Sequence, residues 1–159
     1  MLSIGEEIKQ SKFRNAQHKT VLNILLTANT IYAINNRYFK QFGLSGEQYN
    51  VLRILRGNHP EACTVLSIQE RMLDKMSNAS RLVDKLETKG LLTRKQSKDD
   101  RRQVDVCITK KGLQLLDDIS IPFEKMDQAL KCVSEEELNR VSDILDVIRG
   151  TYRQLSDNQ

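Results

Sequence analysis

Apolar residues recur at steps of three and four over residues 17 to 42, through Val21, Ile24, Ala28, Ile31, Tyr38 and Phe42. A second stripe runs beside it through Leu22, Leu25, Tyr32 and Phe39. One such stripe marks a helix with one covered face, so two adjacent stripes predict a long helix covered on two sides. A short helical arm is predicted ahead of it over 4 to 14, with Ile4, Ile8 and Phe13. Gly43 stops the long helix, and Ser45-Gly46-Glu47-Gln48 has the spacing of a capping box for a helix over 46 to 56. Gly57-Asn58-His59-Pro60 breaks that helix.

Two short helices are predicted next, ending at Leu73 and starting at Ser77, with Asp74-Lys75-Met76 as a tight connection. Ser77 is read as the cap of the second, 77 to 89, whose Ala79, Leu82, Val83 and Leu86 stand at i, i+3, i+4 and i+7. Helix, three-residue turn, helix is a helix-turn-helix layout. After Gly90 the period falls from 3.6 to two. Leu91 to Lys95 reads as a strand, and Val104, Val106 and Ile108 alternate with polar residues as its return. Gln96 to Arg102 forms a polar, charged tip between them. Thr109 then caps a helix through Leu113, Leu116 and Ile119, expected to bend or end near Pro122.

A last helix starts at the capping box Ser134-Glu135-Glu136-Glu137. Its Leu138, Val141, Leu145, Ile148, Tyr152 and Leu155 repeat at alternating steps of three and four, a heptad seam. Packing inside one chain produces a similar stripe. The seam's place late in the chain, and the two covered faces of the first long helix, favour pairing between subunits.

Composition narrows the field. The chain has 159 residues, 39% of them hydrophobic and 29% charged, with only two prolines, which excludes collagen-like, low-complexity and disordered classes. Its longest near-apolar run, Val21 to Leu26, is far too short to span a membrane, and the acidic start lacks a signal peptide's basic region. A cytoplasmic protein is expected. Cys63, Cys107 and Cys132 are far apart and make no zinc spacing with His18 and His59. They read as isolated reduced thiols, with Cys107 as a redox-sensing alternative. No cofactor or metal is expected, and no phosphate loop, nucleophile elbow or metalloprotease motif points to an enzyme.

The net charge of +4 is small, but its placement is informative. Residues 71 to 111 carry twelve lysines and arginines against six acidic residues, while the remainder is slightly acidic. One basic segment on a neutral body is the footprint of a surface offered to a polyanion. Within it, a groove-reading helix needs short hydrogen-bonding side chains near its start, and Ser77, Asn78, Ser80 and Arg81 supply them. Asparagine pairs with adenine and arginine with guanine, while Ser77 and Lys85 suit phosphate. Arg94, Lys95, Lys98, Arg101 and Arg102 extend this set along the hairpin.

Helix, helix-turn-helix, basic hairpin and long terminal helices together form a winged helix inside a helical dimerisation frame. Here the residues resemble the MarR (multiple antibiotic resistance regulator) family. The resemblance lies in Met76 to Arg94, with its Leu86-x-x-x-Gly90-Leu91 turn, and in Asp99 to Gly112. The latter holds Asp100-x-Arg102, then Val104-x-Val106 and Thr109-x-x-Gly112. It covers roughly residues 45 to 116.

The resemblance implies that Asp100 orients Arg102 into a minor groove, and that a crevice between frame and winged lobe takes a small aromatic or phenolic ligand. Tyr32, Arg37, Tyr38 and Tyr49 are able to contribute, but core packing accounts better for each tyrosine, so no ligand residue is assigned. Peroxide-sensing members carry their cysteine near the start of the long N-terminal helix, where this chain has none. The expected fold is mainly α, a winged helix-turn-helix with a two-stranded β-wing. Residues 1–44 and 113–159 form the dimerisation frame and 45–112 the DNA-binding domain. The expected function is a ligand-responsive homodimeric repressor that reads a pseudo-palindromic operator in double-stranded DNA with helix 77–89 and wing 93–106. The alternative is a DNA-independent dimeric scaffold of the same fold.

Overall fold

The computed structural model describes residues 2–96 and 104–157; for 120–127 and for 156 and 157 it describes the backbone alone. The chain divides into two compact units, Met1–Ile119 and Ser120–Gln159. In the first, helix α1 (Ile4–Glu7) is only one turn long, against the arm expected over 4 to 14. Lys9 takes φ 54, in the left-handed region, which ends the helical run. Helix α2 (Ala16–Lys40) is the long helix of the double stripe, capped by Asn15, whose side chain accepts the His18 N–H.

Helix α3 (Gly46–Asn58) starts at the Ser45 box, with Gln48 reaching back to the Ser45 N–H at 3.1 Å. Asn36 on α2 accepts the Gly46 N–H at 2.8 Å, which ties the two helices at this corner. The core is built around α3: Val51, Leu52 and Leu55 are almost completely enclosed, with Ile68, Met72, Val83 and Leu86 against the same interior. Each such side chain contributes about 1.5–3 kcal/mol by leaving water.

A strand that periodicity did not reveal, β1 (Cys63–Thr64), precedes helix α4 (Val65–Arg71). Helix α5 (Ala79–Thr88), strand β2 (Leu92–Gln96) and strand β3 (Val104–Ile108) complete the winged lobe. The sheet order is β1-β3-β2, all antiparallel: β2 and β3 form the two-stranded wing, and β1 adds a third strand to the sheet, with β3 at the centre. Val106 and Ile108 turn inward from β3, and the half-buried Asp105 and Cys107 alternate with them.

Thr109 binds the sheet to the next helix, α6 (Lys110–Asp127). Its hydroxyl donates to the Gly90 carbonyl at 2.8 Å and accepts the Gly112 N–H at 3.1 Å. The helix extends through position 122 rather than ending there. A proline's fixed φ is compatible with a helix even though it removes one donor. Gly112 lies so close to the Gly90–Leu91 turn that a Cβ would stand 2.3 Å from the Leu91 carbonyl oxygen and 2.8 Å from Ile108 Cγ1. Backbone cannot yield as a flexible side chain can. Gly112→Ala should therefore destabilise the fold by about 1–3 kcal/mol or more, read as a lower denaturation midpoint. An unchanged midpoint would contradict this close approach.

In the second unit, a short 3₁₀ turn (Gln128–Leu130) leads to helix α7 (Glu135–Asp157). The Ser134 box forms as expected: its hydroxyl accepts the Glu137 N–H at 3.2 Å, and Glu137 accepts the Ser134 N–H at 3.1 Å. The Ser134 hydroxyl, which donates to the Glu137 carboxylate at 2.7 Å, and the Ser134 N–H hold that carboxyl below its usual value. None of the described side chains on α7 is buried. Among the described residues, no helix is long and apolar enough to cross a membrane.

Candidate nucleic-acid interface

The turn between α4 and α5 is held by side chains rather than by its own backbone. Asp74 accepts the Met76 N–H at 2.9 Å with one oxygen and the Ser77 hydroxyl at 2.7 Å with the other. The Ser77 bond is the leading cause that keeps this carboxyl below its ordinary value. Gln69 donates to the Lys75 carbonyl at 2.8 Å and accepts the Ala79 N–H at 3.1 Å, and Asn50 accepts the Leu73 N–H at 2.9 Å. Helices α3 and α4 thus fix where α5 begins.

The cap of α5 differs from the sequence expectation. Asn78, not Ser77, is the N-cap, and its Oδ1 accepts the Arg81 N–H at 2.9 Å. The Ser77 hydroxyl is turned onto Asp74 instead, and the helix starts at Ala79. Asn78 therefore has a structural duty besides any contact with a base, and one Oδ1 lone pair remains for that contact. Ala79, Val83 and Leu86 are buried and Leu82 is half-buried, while Asn78, Ser80, Arg81 and Lys85 stand exposed. The structure brings those four onto the outer side of one helix, with Asn78, Arg81 and Lys85 in a single stripe. Ser77 is half-buried beside its start.

On the wing, Arg94 and Lys95 are exposed, and Lys95 faces Asp105 across the ladder. Arg94 is already engaged. Its Nε donates to Glu87 at 2.8 Å and its Nη1 to Asp84, both on α5. Glu87 also accepts the Arg94 backbone N–H at 3.2 Å. Sequence reasoning missed both carboxylates; their spacing on α5 puts them on one face, and that is the only local signal. Lys98, Asp100, Arg101 and Arg102 lie outside the described residues.

The tyrosines largely follow the packing reading. The Tyr49 ring stacks on Phe39 at 4.1 Å, and the half-buried Tyr38 donates its hydroxyl to the Ile119 carbonyl at 3.1 Å. Tyr32 is different: it is 57% exposed and donates to Glu47 at 2.5 Å, which pushes its own pKa up. Burial raises the Glu47 carboxyl, but hydrogen bonds from Tyr32 and Ser45 outweigh it and leave the group below its usual value. Cys63 is buried, with its thiol pushed up chiefly by desolvation; Cys107 is half-buried and Cys132 exposed. Among the described residues no cluster of histidine, cysteine and carboxylate could hold a metal.

Comparison with known proteins agrees with this geometry. The MarR family model matches residues 44–104. A transcriptional regulator of Bacillus subtilis, MhqR, is 34% identical over 113 residues, covering 69% of this chain and 75% of that protein. The crystal structure of a MarR transcription factor from Planctomyces limnophilus shares 32% identity, covers 86% of this chain and 99% of its own, and superposes with a TM-score of 0.65. The Staphylococcus aureus MepR–DNA complex has the same fold at 22% identity, with 88% and 99% covered and a TM-score of 0.73. A winged helix-turn-helix lobe, matched along most of its length by such regulators, places the chain: it belongs to the MarR family of DNA-binding transcription regulators.

Proposed function

We propose that this regulator is a cytoplasmic homodimeric repressor, released by a small aromatic or phenolic ligand, that reads a pseudo-palindromic operator. The observation that carries the reading is α5 itself. A pinned turn fixes its start, its inner side is buried, and Asn78, Ser80, Arg81 and Lys85 remain exposed beside the wing. Side chains so placed reach base edges when such a helix enters a major groove. The wing over 93–106 supplies the flanking contacts, with Lys95, Lys98 and Arg101 on phosphate and Arg102, oriented by Asp100, in the minor groove. Residues 1–44 and 113–159 supply the dimer frame around the 45–112 domain. A dimer seated on its operator represses by occupying the site, with no further activity required. The S. aureus protein of the same fold is known bound to DNA, which supports DNA as the partner.

Selection of bound sequences from a random DNA pool tests the reading. Enriched sites should contain two inverted half-sites about 10 bp apart, one helical turn. Small aromatic acids and phenols screened against that site should then include compounds that release it. A pool that shows no enrichment would favour the dimeric scaffold instead.

A further inference from the structure

Two carboxylates on a helix that approaches DNA are a liability, because each repels the phosphate backbone. Helix α5 carries Asp84 and Glu87, three residues apart and on one face. Both are occupied by a single guanidinium from the wing. Arg94 spreads its fork across them, Nε to Glu87 at 2.8 Å and Nη1 to Asp84. Glu87 reaches further and takes the Arg94 backbone N–H at 3.2 Å. That second bond falls on β2, an edge strand with β3 on one side only. Helix and wing are thus joined at three points around one residue: two on the side chain and one on the main chain.

We propose that Arg94 is a positioning residue rather than a phosphate contact: it locks strand β2 to helix α5 and so sets the wing and the reading helix at one fixed spacing for DNA. The assignment rests on the DNA-reading role proposed for α5. Arginine suits the task because its planar fork binds two acceptors in a defined direction, which the point charge of lysine does not. The pair is partly exposed, so it adds little to global stability. Its value lies in geometry, since two reading elements must meet two grooves at once. It also screens the carboxylates, and the two effects predict opposite outcomes for the acidic residues.

The experiment uses the full-length protein and its selected operator, with affinity measured against salt for operator and for random DNA. If Arg94 positions, Arg94→Gln should lower operator affinity by about tenfold, the worth of one good base contact, with the salt slope unchanged. The double variant Asp84→Asn with Glu87→Gln should weaken operator binding by a similar factor. Combining all three substitutions should cost no more than either set, because the same clamp is broken in each case. Arg94→Lys, which keeps the charge and loses the fork, should fall between wild type and Arg94→Gln. If Arg94 instead touches phosphate, its removal should reduce the slope by about 1.8 per dimer, 0.9 for each protomer. Neutralising Asp84 and Glu87 should then tighten binding, by removing repulsion. Either result overturns the clamp while leaving DNA reading intact, whereas a wild-type protein that selects no operator removes the reading on which the clamp rests.

Discussion

Arg81→Ala should lower operator affinity by about 1–3 kcal/mol for each base that the arginine reads, and should flatten sequence preference at one position in each half-site. Binding to random DNA should change far less. The difference follows from where Arg81 sits, exposed on the first turn of α5 and one turn ahead of Lys85. Base edges discriminate, and phosphates do not. Asn78 demands a more careful variant. Its Oδ1 caps the helix through the Arg81 N–H, so Asn78→Ala removes a cap, worth about 1 kcal/mol of stability, together with any base pairing. Asn78→Ser keeps a capping oxygen and loses the amide that would pair with adenine. If Asn78 reads a base, the serine variant should lose preference at its position without a lower denaturation midpoint. Lys98→Ala gives the contrast: binding to all sequences should weaken alike, with a salt slope smaller by about 0.9 for each phosphate released. Equal reductions for operator and random DNA in both Arg81→Ala and Asn78→Ser would deny α5 its role as the specificity element.

What sequence could and could not foresee in this interface follows the range of the interactions involved. The Ser45 and Ser134 boxes were legible because both bonds of each close within four residues. The cap of α5 was not. Ser77 and Asn78 are both good caps, and the choice turns on Asp74, which draws the Ser77 hydroxyl away. Strand β1 is two residues long, too short to show alternation, and it exists because β3 offers an edge for Cys63 and Thr64 to pair with. The basic wing was plain from charge, yet the partner of Arg94 was hidden. Its bonds span seven and ten residues and form only once β2 folds back along α5. Likewise Gly112 stood out as part of a motif, but its reason, the Leu91 carbonyl pressed against it, belongs to tertiary packing.

Replacing Leu145 and Ile148 together with Asp should convert the protein to monomers and abolish operator binding in the same step. On α7, Leu138, Leu145 and Ile148 are half-buried, while Val141, Tyr152 and Leu155 are 52%, 56% and 58% exposed. Ile144 and Val147 widen the apolar stripe, at 48% and 70% exposed. Helix α2 shows the same character, with Leu25, Ile31 and Tyr32 more than half exposed along the face that the double stripe marked for covering. Apolar surface on this scale on two long helices is what a second copy would bury. A leucine or isoleucine taken fully from water contributes about 1.5–3 kcal/mol. Leu145 and Ile148 are half-buried already, so two positions in two protomers contribute less than roughly 6–12 kcal/mol to association. Aspartate at those positions removes that gain and sets a cost for burying charge against it. Both substitutions fall on a helix whose own start is secured by the Ser134 box, so α7 itself should persist and circular dichroism should stay near that of the wild type. Sedimentation should then report the monomer mass, and operator binding should be lost together with the dimer. A double variant that sedimented as a dimer would take this seam out of the interface and leave the exposed face of α2 as the surface to alter next.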